Sequence, residues 1–223
     1  MADGWRTQSP PSPGPPLAKS QAERRQRIVR TALDLLSESD YDAIQMRDVA
    51  EASNVALATL YRYFPSKEQL FAAVQLEWVE RLHQRVTQRP LRGGSNLERL
   101  LDVIHKSIRA FKKKPQFYRV LLILEATKDP IARDLYDVMS QTTTATYLEA
   151  IVDVDPESSN RLLGTTLAIL GAEMRAWALG NRPIEVAEKN IEESLRLLFT
   201  YREEQSASGP APVSGLRVAG HPG

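Results

Sequence analysis

Apolar residues recur at intervals of three or four along much of this chain. Near the C-terminus one such stripe contains Ile184, Ala187, Ile191, Leu195 and Leu198, and the preceding segment has another in Leu162, Leu163, Thr166, Leu167, Leu170 and Met174. This spacing places the side chains on one face of an α-helix. We find no run of alternating apolar and polar residues, flanked by turn residues, that predicts a strand. The pattern predicts an all-α protein with about nine helices.

Prolines and capping residues indicate where these helices begin. Asp129 and Asp155 each precede a proline, so an N-cap acceptor stands before the first helical position, where proline's missing N–H costs nothing. Ser66 and Ser95 each stand three residues before a Gln or Glu, which is the spacing of a capping box. We therefore expect a helix to start directly after each of these four residues.

Both ends of the chain differ in composition from its centre. Residues 1–18 and 206–223 together hold 8 of the 14 prolines and 6 of the 11 glycines. Such segments have few apolar side chains to offset the entropy cost of ordering, so they predict disordered tails. Between them, the short helices of residues 19–67 predict an N-terminal head, and residues 68–205 predict a separate body of long helices.

The head has the pattern of a helix-turn-helix. A first amphipathic helix is followed by a short helix at Met46–Ala50, a turn at Ser53–Asn54 and a second short helix at Val55–Phe64. Asn tolerates the left-handed conformation that a tight turn between helices needs. We expect the second short helix to enter a DNA major groove. The predicted core of the head consists of Ile28, Leu35, Val49, Val55, Leu60 and Phe64.

Several side chains of the head are suited to contact DNA. Leu57, Ala58 and Thr59 are small enough to approach base edges, and Tyr61 and Tyr63 carry hydroxyls that can reach phosphates. Lys67 lies at a helix N-terminus, which favours an anion. The segment 19–30, which includes Arg24 and Arg25, has five positive and one negative residue at the positive end of a helix dipole, an arrangement that an anionic partner would explain. Packing of the two tyrosines and a solvated basic face remain the alternatives.

Composition and the absence of certain motifs exclude several kinds of site and classes of protein. The 29 Lys and Arg residues nearly balance the 28 Asp and Glu residues, so overall charge does not identify a partner. The absence of Cys excludes disulfides and thiolate zinc sites, and the three histidines are far apart in sequence, so we expect no metal and no cofactor. No apolar run approaches the length of a membrane span, which predicts a soluble, cytoplasmic protein without a membrane partner. No phosphate-binding loop or nucleophile motif is present, so we expect no enzyme.

The head also resembles a known family. The segments Tyr41–Ala50 and Val55–Leu70 resemble the DNA-binding head of TetR-family transcriptional repressors, and they are most similar to actinobacterial repressors of sterol catabolism. The resemblance implies a homodimer that binds a palindromic operator and is released by a small molecule. By matched position, it implies operator contacts at Arg47, Thr59, Tyr61, Tyr63 and Lys67, the last three on phosphates. It also suggests a sterol-derived or acyl-thioester effector. Ala56 and Ala58 replace the family's common Ser and Gly, which leaves the operator sequence open.

The helices around 97–114, 116–126 and 130–152 are rich in aromatic and large aliphatic residues. A pocket for an apolar or amphipathic effector would be lined mostly by such side chains with a few polar groups. An exposed helix face is the alternative for the polar ones. The candidate ligand-binding residues are Phe111, Phe117, Tyr118, Leu121, Leu122, Glu125, Met139, Thr143 and Tyr147.

The last two long helices, at 156–179 and 184–204, predict the dimer interface, because their stripes and small residues suit close helix pairing. A symmetric dimer would place two heads about 34 to 36 Å apart, one turn of DNA. The alternative is that the stripes face the core of the same chain. The candidate interface residues are Leu163, Leu167, Leu170, Met174, Ile191, Leu195 and Leu198.

Two other functions compete with that of a ligand-responsive repressor. One is a helical small-molecule carrier without DNA binding, and the other is a transcriptional activator of the same fold.

Overall fold

The computed structural model describes residues 19–88 and 90–208, with only the backbone given for residues 203–208. The described residues form helices and no strands, which confirms the all-α prediction. The nine α-helices are α1 Lys19–Glu38, α2 Met46–Ala52, α3 Leu57–Tyr63, α4 Lys67–Thr87, α5 Asn96–Lys113, α6 Pro115–Glu125, α7 Pro130–Leu148, α8 Pro156–Ala178 and α9 Ile184–Ser208.

The two predicted tails fall mostly on undescribed residues. Residues 1–18 and 209–223 lie outside the described part of the chain. Helix α9 continues through Ser208, so residues 206–208 are helical and the predicted start of the second tail is wrong.

The predicted caps begin their helices. The Asp129 carboxylate accepts hydrogen bonds from the backbone N–H groups of Ile131 and Ala132, at 3.0 and 3.1 Å. Asp155 accepts one from the N–H of Ser158 at 2.9 Å. Ser95 forms a complete capping box with Glu98. These bonds satisfy N–H groups that the first helical turn leaves without partners.

Ser66 caps α4, but the predicted capping box is only half formed. Its hydroxyl accepts a hydrogen bond from the backbone N–H of Gln69 at 3.1 Å. The Gln69 side chain does not return to the backbone at Ser66. Its amide Nε2 donates to the carboxylate of Asp129, at 2.9 Å from Oδ2. The local motif is therefore replaced by a contact between the starts of α4 and α7.

One apolar core continues from the head into the body. It joins α1, α2 and α3 to α4, α6 and α7, and its fully buried members include Ile28, Leu36, Leu60, Leu70, Phe71 and Phe117. The ring of Trp78 in α4 stacks on Phe117 in α6 at 4.8 Å between centroids. Because α4 belongs to the head and to the body at once, the two parts are packed against each other through this helix.

A second core lies among α5, α8 and α9, and it corrects the predicted dimer interface. Leu163, Met174, Ile191 and Leu195 are at most 2% exposed within the single chain. Leu167, Leu170 and Leu198 are partly buried and pack against the same cluster. The four buried residues form the inner faces of α8 and α9, so the prediction that these four lie between two copies is wrong. The predicted interface role of the three partly buried residues stays a prediction. Helical periodicity shows that a face is buried, without identifying what covers it.

The described helices carry neither a membrane span nor a metal cluster. None of those helices is both long enough and apolar enough to cross a bilayer. The same part of the chain contains no group of three or more His, Asp or Glu side chains placed to hold a metal ion.

Candidate DNA-binding surface and ligand cavity

The predicted helix-turn-helix is present, and a single left-handed residue makes its turn. Asn54 has φ of +53° between α2 and α3. The hydroxyl of the buried Ser53 donates to the carbonyl of Val49 at 2.6 Å, and the N–H of Val55 donates to the carbonyl of Ala50 at 3.0 Å. These bonds fix the direction in which α3 leaves the turn.

Helix α3 has one buried face and one accessible face. Leu60 is fully buried in the head core, whereas Leu57 and Tyr61 are 42% and 45% exposed. Ala58 is also exposed, and Thr59 and Tyr63 are half-buried. The small residues at the start of α3 and the Tyr61 ring therefore form an outer surface that a duplex can approach.

The basic residues of the head are divided between packing and exposure. The guanidinium carbon of Arg25 lies 4.9 Å from the centre of the Phe64 ring, and burial lowers the pKa of this arginine. Arg24 is half-buried. Arg47 is exposed, and its nearest acidic neighbour is the adjacent Asp48, with Nε 3.5 Å from Oδ1. Arg25 thus supports the head, while Arg47 is open to a partner.

Lys67 is the first residue of α4, and its ammonium contacts Tyr41. It donates a hydrogen bond to the Tyr41 carbonyl and lies 4.0 Å from the centre of that ring. Burial is the largest cause of its lowered pKa, partly offset by Asp42 and Glu68. An ammonium has three donors, and this contact uses one of them. These two contacts with Tyr41 fix the position of the charge.

A cavity of about 510 Å³ lies in the body among α4, α5, α6, α7 and α8. This volume is in the range of small-molecule sites. Its wall is mainly apolar and includes seven of the predicted ligand-binding residues, namely Phe111, Tyr118, Leu121, Glu125, Met139, Thr143 and Tyr147.

Phe117 and Leu122 do not line this cavity. Helix α6 turns Tyr118 and Leu121 toward the cavity, so residues one position away along the helix face other neighbours. Phe117 is fully buried in the head-to-body core, and Leu122 packs against the second core. Their assignment to the cavity wall needs correction, because aromatic and aliphatic content does not distinguish the faces of one helix.

The polar groups of the wall differ in their surroundings. Glu125 and Arg175 form a partly exposed ion pair, with 2.8 Å between Oε1 and a guanidinium nitrogen. Burial raises the pKa of Tyr118 and of Tyr147, so both hydroxyls remain neutral. Arg175 was not among the candidates from the sequence, since its role depends on where α8 packs.

Gln75 is a second cavity residue that the sequence reasoning missed. It is fully buried in α4, and neither its Oε1 nor its Nε2 has a hydrogen-bond partner among the described residues. A signal was available in the sequence. The residues three and four positions away on both sides are Phe71, Ala72, Trp78 and Val79, so Gln75 is a polar residue on an otherwise apolar helical face.

Comparison with known proteins agrees with this arrangement. Residues 28–74, which include the helix-turn-helix, match the family described as bacterial regulatory proteins of the tetR family. The HTH-type transcriptional repressor KstR of Mycolicibacterium smegmatis is 28% identical over 188 residues, which cover 84% of this chain and 92% of the repressor. The likeness therefore extends well beyond the head.

Solved structures show the same fold. A TetR transcriptional regulator from Rhodococcus sp. RHA1 superposes with a TM-score of 0.69 at 24% identity, covering 81% of this chain and 97% of that one. FadR of Thermus thermophilus, a repressor solved in complex with lauroyl-CoA, has a TM-score of 0.64 at 20% identity, covering 86% of this chain and 99% of that one.

Proposed function

This chain is a TetR-family transcriptional regulator, and we propose that it is a ligand-responsive repressor that binds a palindromic operator as a homodimer. The observation that carries the proposal is the placement of α4. This helix packs under the head at Leu70 and Phe71 and lines the cavity at Gln75 and Val79. A molecule in the cavity therefore contacts the helix on which the head rests.

The proposed DNA contacts follow the exposed surface of the head. Leu57, Ala58 and Thr59 meet base edges, and Tyr61, Tyr63 and Lys67 meet phosphates. Arg24 and Arg47 add positive charge beside them, whereas Arg25 stays on the Phe64 ring. The support is the exposure of Arg47 on α2 and of Leu57, Ala58 and Tyr61 on α3, together with the general preference of hydroxyls and cations for phosphate oxygens.

A salt titration with matched arginine variants tests DNA binding. Operator fragments are first selected from random DNA by the purified protein. The logarithm of the binding constant then falls linearly with the logarithm of salt concentration, and Arg47→Gln reduces the slope by about one unit for each phosphate that Arg47 neutralises. Arg161→Gln is the control, because Arg161 is 72% exposed beside Glu157, much as Arg47 is 71% exposed beside Asp48.

The control and the alternative give distinct results. Arg161 lies on α8, so its substitution leaves the slope unchanged. Failure to select any DNA, with compounds still binding in the cavity, contradicts the repressor and favours a helical carrier. An equal reduction in slope by both variants contradicts the assignment of the contact surface to the head.

We propose an apolar or amphipathic effector, with sterol-derived compounds and acyl thioesters as the first classes to test. The support is the mainly apolar wall and the volume of about 510 Å³, and, among proteins of this fold, the lauroyl-CoA bound by Thermus thermophilus FadR. Release of operator DNA by members of either class, measured by fluorescence anisotropy, is the expected result. Release by an unrelated polar class alone contradicts it.

The homodimer is proposed to form through the outward faces of α8 and α9, since their inner faces are buried. Val186, Leu197 and Tyr201 are exposed apolar residues on α9, at 44%, 73% and 63%. A Cβ at Gly164 of α8 would meet nothing within 4 Å in the single chain. These features suit close packing against a second copy.

A further inference from the structure

The wall of the cavity contains a polar side chain with no partner. Gln75 is 0% exposed, and both its amide oxygen and its amide nitrogen lack hydrogen bonds among the described residues. A buried donor or acceptor without a partner keeps the full cost of its lost hydration. Such groups are uncommon in folded proteins and are found where strain, water or a ligand accounts for them.

Several other polar groups of the wall already have hydrogen-bond or ion-pair partners. The Thr143 hydroxyl donates to the carbonyl of Met139, and the Ser107 hydroxyl donates to the carbonyl of Val103, each at 3.0 Å. Glu125 is paired with Arg175. The Gln75 amide, by contrast, offers both a donor and an acceptor that have no partner among the described residues.

The charge of the wall limits what Gln75 can bind. Among the described residues that line the cavity, Glu125 and Arg175 are the charged ones, and they neutralise each other at a partly exposed position. A carboxylate or ammonium placed against the buried amide would have no counter-ion there. Burial of an uncompensated charge is strongly unfavourable, so the group that meets Gln75 is neutral.

We propose that Gln75 is the polar anchor of the effector site, and that the effector is a mostly apolar molecule with a neutral hydroxyl at the end that reaches α4. A hydroxyl can donate to Oε1 and accept from Nε2, so it satisfies both amide atoms. An ether or a ketone can only accept, which leaves Oε1 unpaired. This inference rests on the proposed ligand-responsive function and specifies the chemistry of its ligand.

Calorimetric titration with three simple probes tests the anchor. Decyl alcohol and its isomer methyl nonyl ether have the same atoms and differ in whether the oxygen carries hydrogen, and decanoate adds a charge. We expect the wild-type protein to bind the alcohol roughly tenfold more tightly than the ether, which is the usual effect of one buried hydrogen bond. We expect decanoate to bind more weakly than the alcohol.

Two glutamine variants complete the experiment. Gln75→Met keeps the side-chain length and removes both polar atoms, so the alcohol and the ether should bind equally well. Gln116→Met is the control, because Gln116 lies at the start of α6 and its Nε2 donates to the carbonyl of Ser37 at 3.0 Å, away from the cavity wall. This control should keep the preference for the alcohol.

Three results would overturn the proposal: equal wild-type affinities for alcohol and ether, a preference for the alcohol that survives in Gln75→Met, or no binding of any probe. The calorimetry contains no DNA, so these failures leave operator binding untouched. Conversely, failure to bind operator DNA removes the proposed repressor while the probe affinities still report on Gln75.

Discussion

Gln75 and Gln116 present the same side chain in opposite circumstances. The amide of Gln116 is half-buried and donates to the Ser37 carbonyl at the end of α1. The amide of Gln75 is fully buried with neither atom paired among the described residues. Removing the amide should therefore have opposite effects on stability at the two positions. A variant of Gln116 loses a hydrogen bond, whereas a variant of Gln75 loses only the cost of burying an unpaired amide.

We predict that Gln75→Met raises the free energy of unfolding of the ligand-free protein by about 1 kcal/mol, and that Gln116→Met lowers it by a similar amount. Methionine fills nearly the same volume, so cavity formation contributes little. Urea unfolding followed by circular dichroism measures both changes. Destabilisation by Gln75→Met would show that an ordered water already satisfies the amide.

Residues whose roles depend on local sequence could be predicted, and residues whose roles depend on packing could not. Asn54 adopts the left-handed turn that its side chain tolerates, and Ser95 forms the capping box that its spacing indicates. The basic pattern of α1 predicts that Arg25 faces DNA, but Arg25 packs on Phe64. Lys67 has the Tyr41 carbonyl as a partner 26 positions away in sequence. Such partners come from tertiary contacts that a local pattern does not encode.

Helices α4 and α7 are joined at their N-terminal ends by one carboxylate. Asp129 caps α7 through Oδ1, and its Oδ2 accepts from the Ser66 hydroxyl at 2.8 Å and from Gln69 Nε2 at 2.9 Å. Burial would raise the pKa of this carboxyl, but the hydrogen bonds from Gln69, Ser66 and the α7 backbone outweigh it and hold the pKa below its usual value. The junction therefore depends on the ionised form.

Replacing Asp129 with Asn distinguishes the two roles of this side chain, the cap of α7 and the contact with α4. Asn still caps α7, but its NH2 group faces the donating Nε2 of Gln69. We predict a loss of about 1 kcal/mol in unfolding free energy at neutral pH, and a smaller loss for Asp155→Asn, whose carboxylate accepts from its own helix at Ser158. Urea unfolding of both variants at neutral pH measures these changes.

The pH dependence of the same variants checks the charge. A folded-state pKa below the unfolded value adds stability above the unfolded pKa, and this stability disappears as the pH falls through the folded pKa. The difference between wild type and Asp129→Asn should therefore be present at neutral pH and shrink below about pH 4. A difference that stays constant down to acid pH contradicts an ionised junction.

Helix boundaries were easier to predict than helix orientation. Proline and capping residues identified the starts of α4, α5, α7 and α8, because those signals act within one turn. The stripes of α8 and α9 predict a dimer interface, but their buried members pack against α5 and each other. A stripe of buried residues is the same in sequence whether a second copy or the same chain covers it, so this choice required the three-dimensional structure.

Across the whole molecule, the head, α4 and the cavity form one continuous path. Met139 belongs to the core shared with the head and also lines the cavity. In the proposed homodimer, an effector that favours one placement of α4 would therefore change the separation of the two heads. Reversing a population from 1:99 to 99:1 requires about 5.5 kcal/mol of differential binding, so the effector must bind the released form that much more tightly than the DNA-binding form.

Such a change in separation matters only if two heads are fixed together, so dimerisation is the decisive property. We predict that Leu197→Glu, which places a charge on the outward face of α9, produces a monomer at micromolar concentration. We also predict that it reduces affinity for a palindromic operator at least tenfold, since binding of one head loses the contribution of the other. Sedimentation velocity and fluorescence anisotropy measure the two effects.

The matched control is Ile131→Glu, because Ile131 is also an exposed apolar residue, at 52% against 73% for Leu197, but lies at the start of α7 beside the head-to-body junction. It should remain dimeric, because α7 takes no part in the proposed interface. A dimer that survives Leu197→Glu but dissociates in Ile131→Glu would place the interface on α7. Tight operator binding by a Leu197→Glu monomer would show that one head suffices, which contradicts release through head separation.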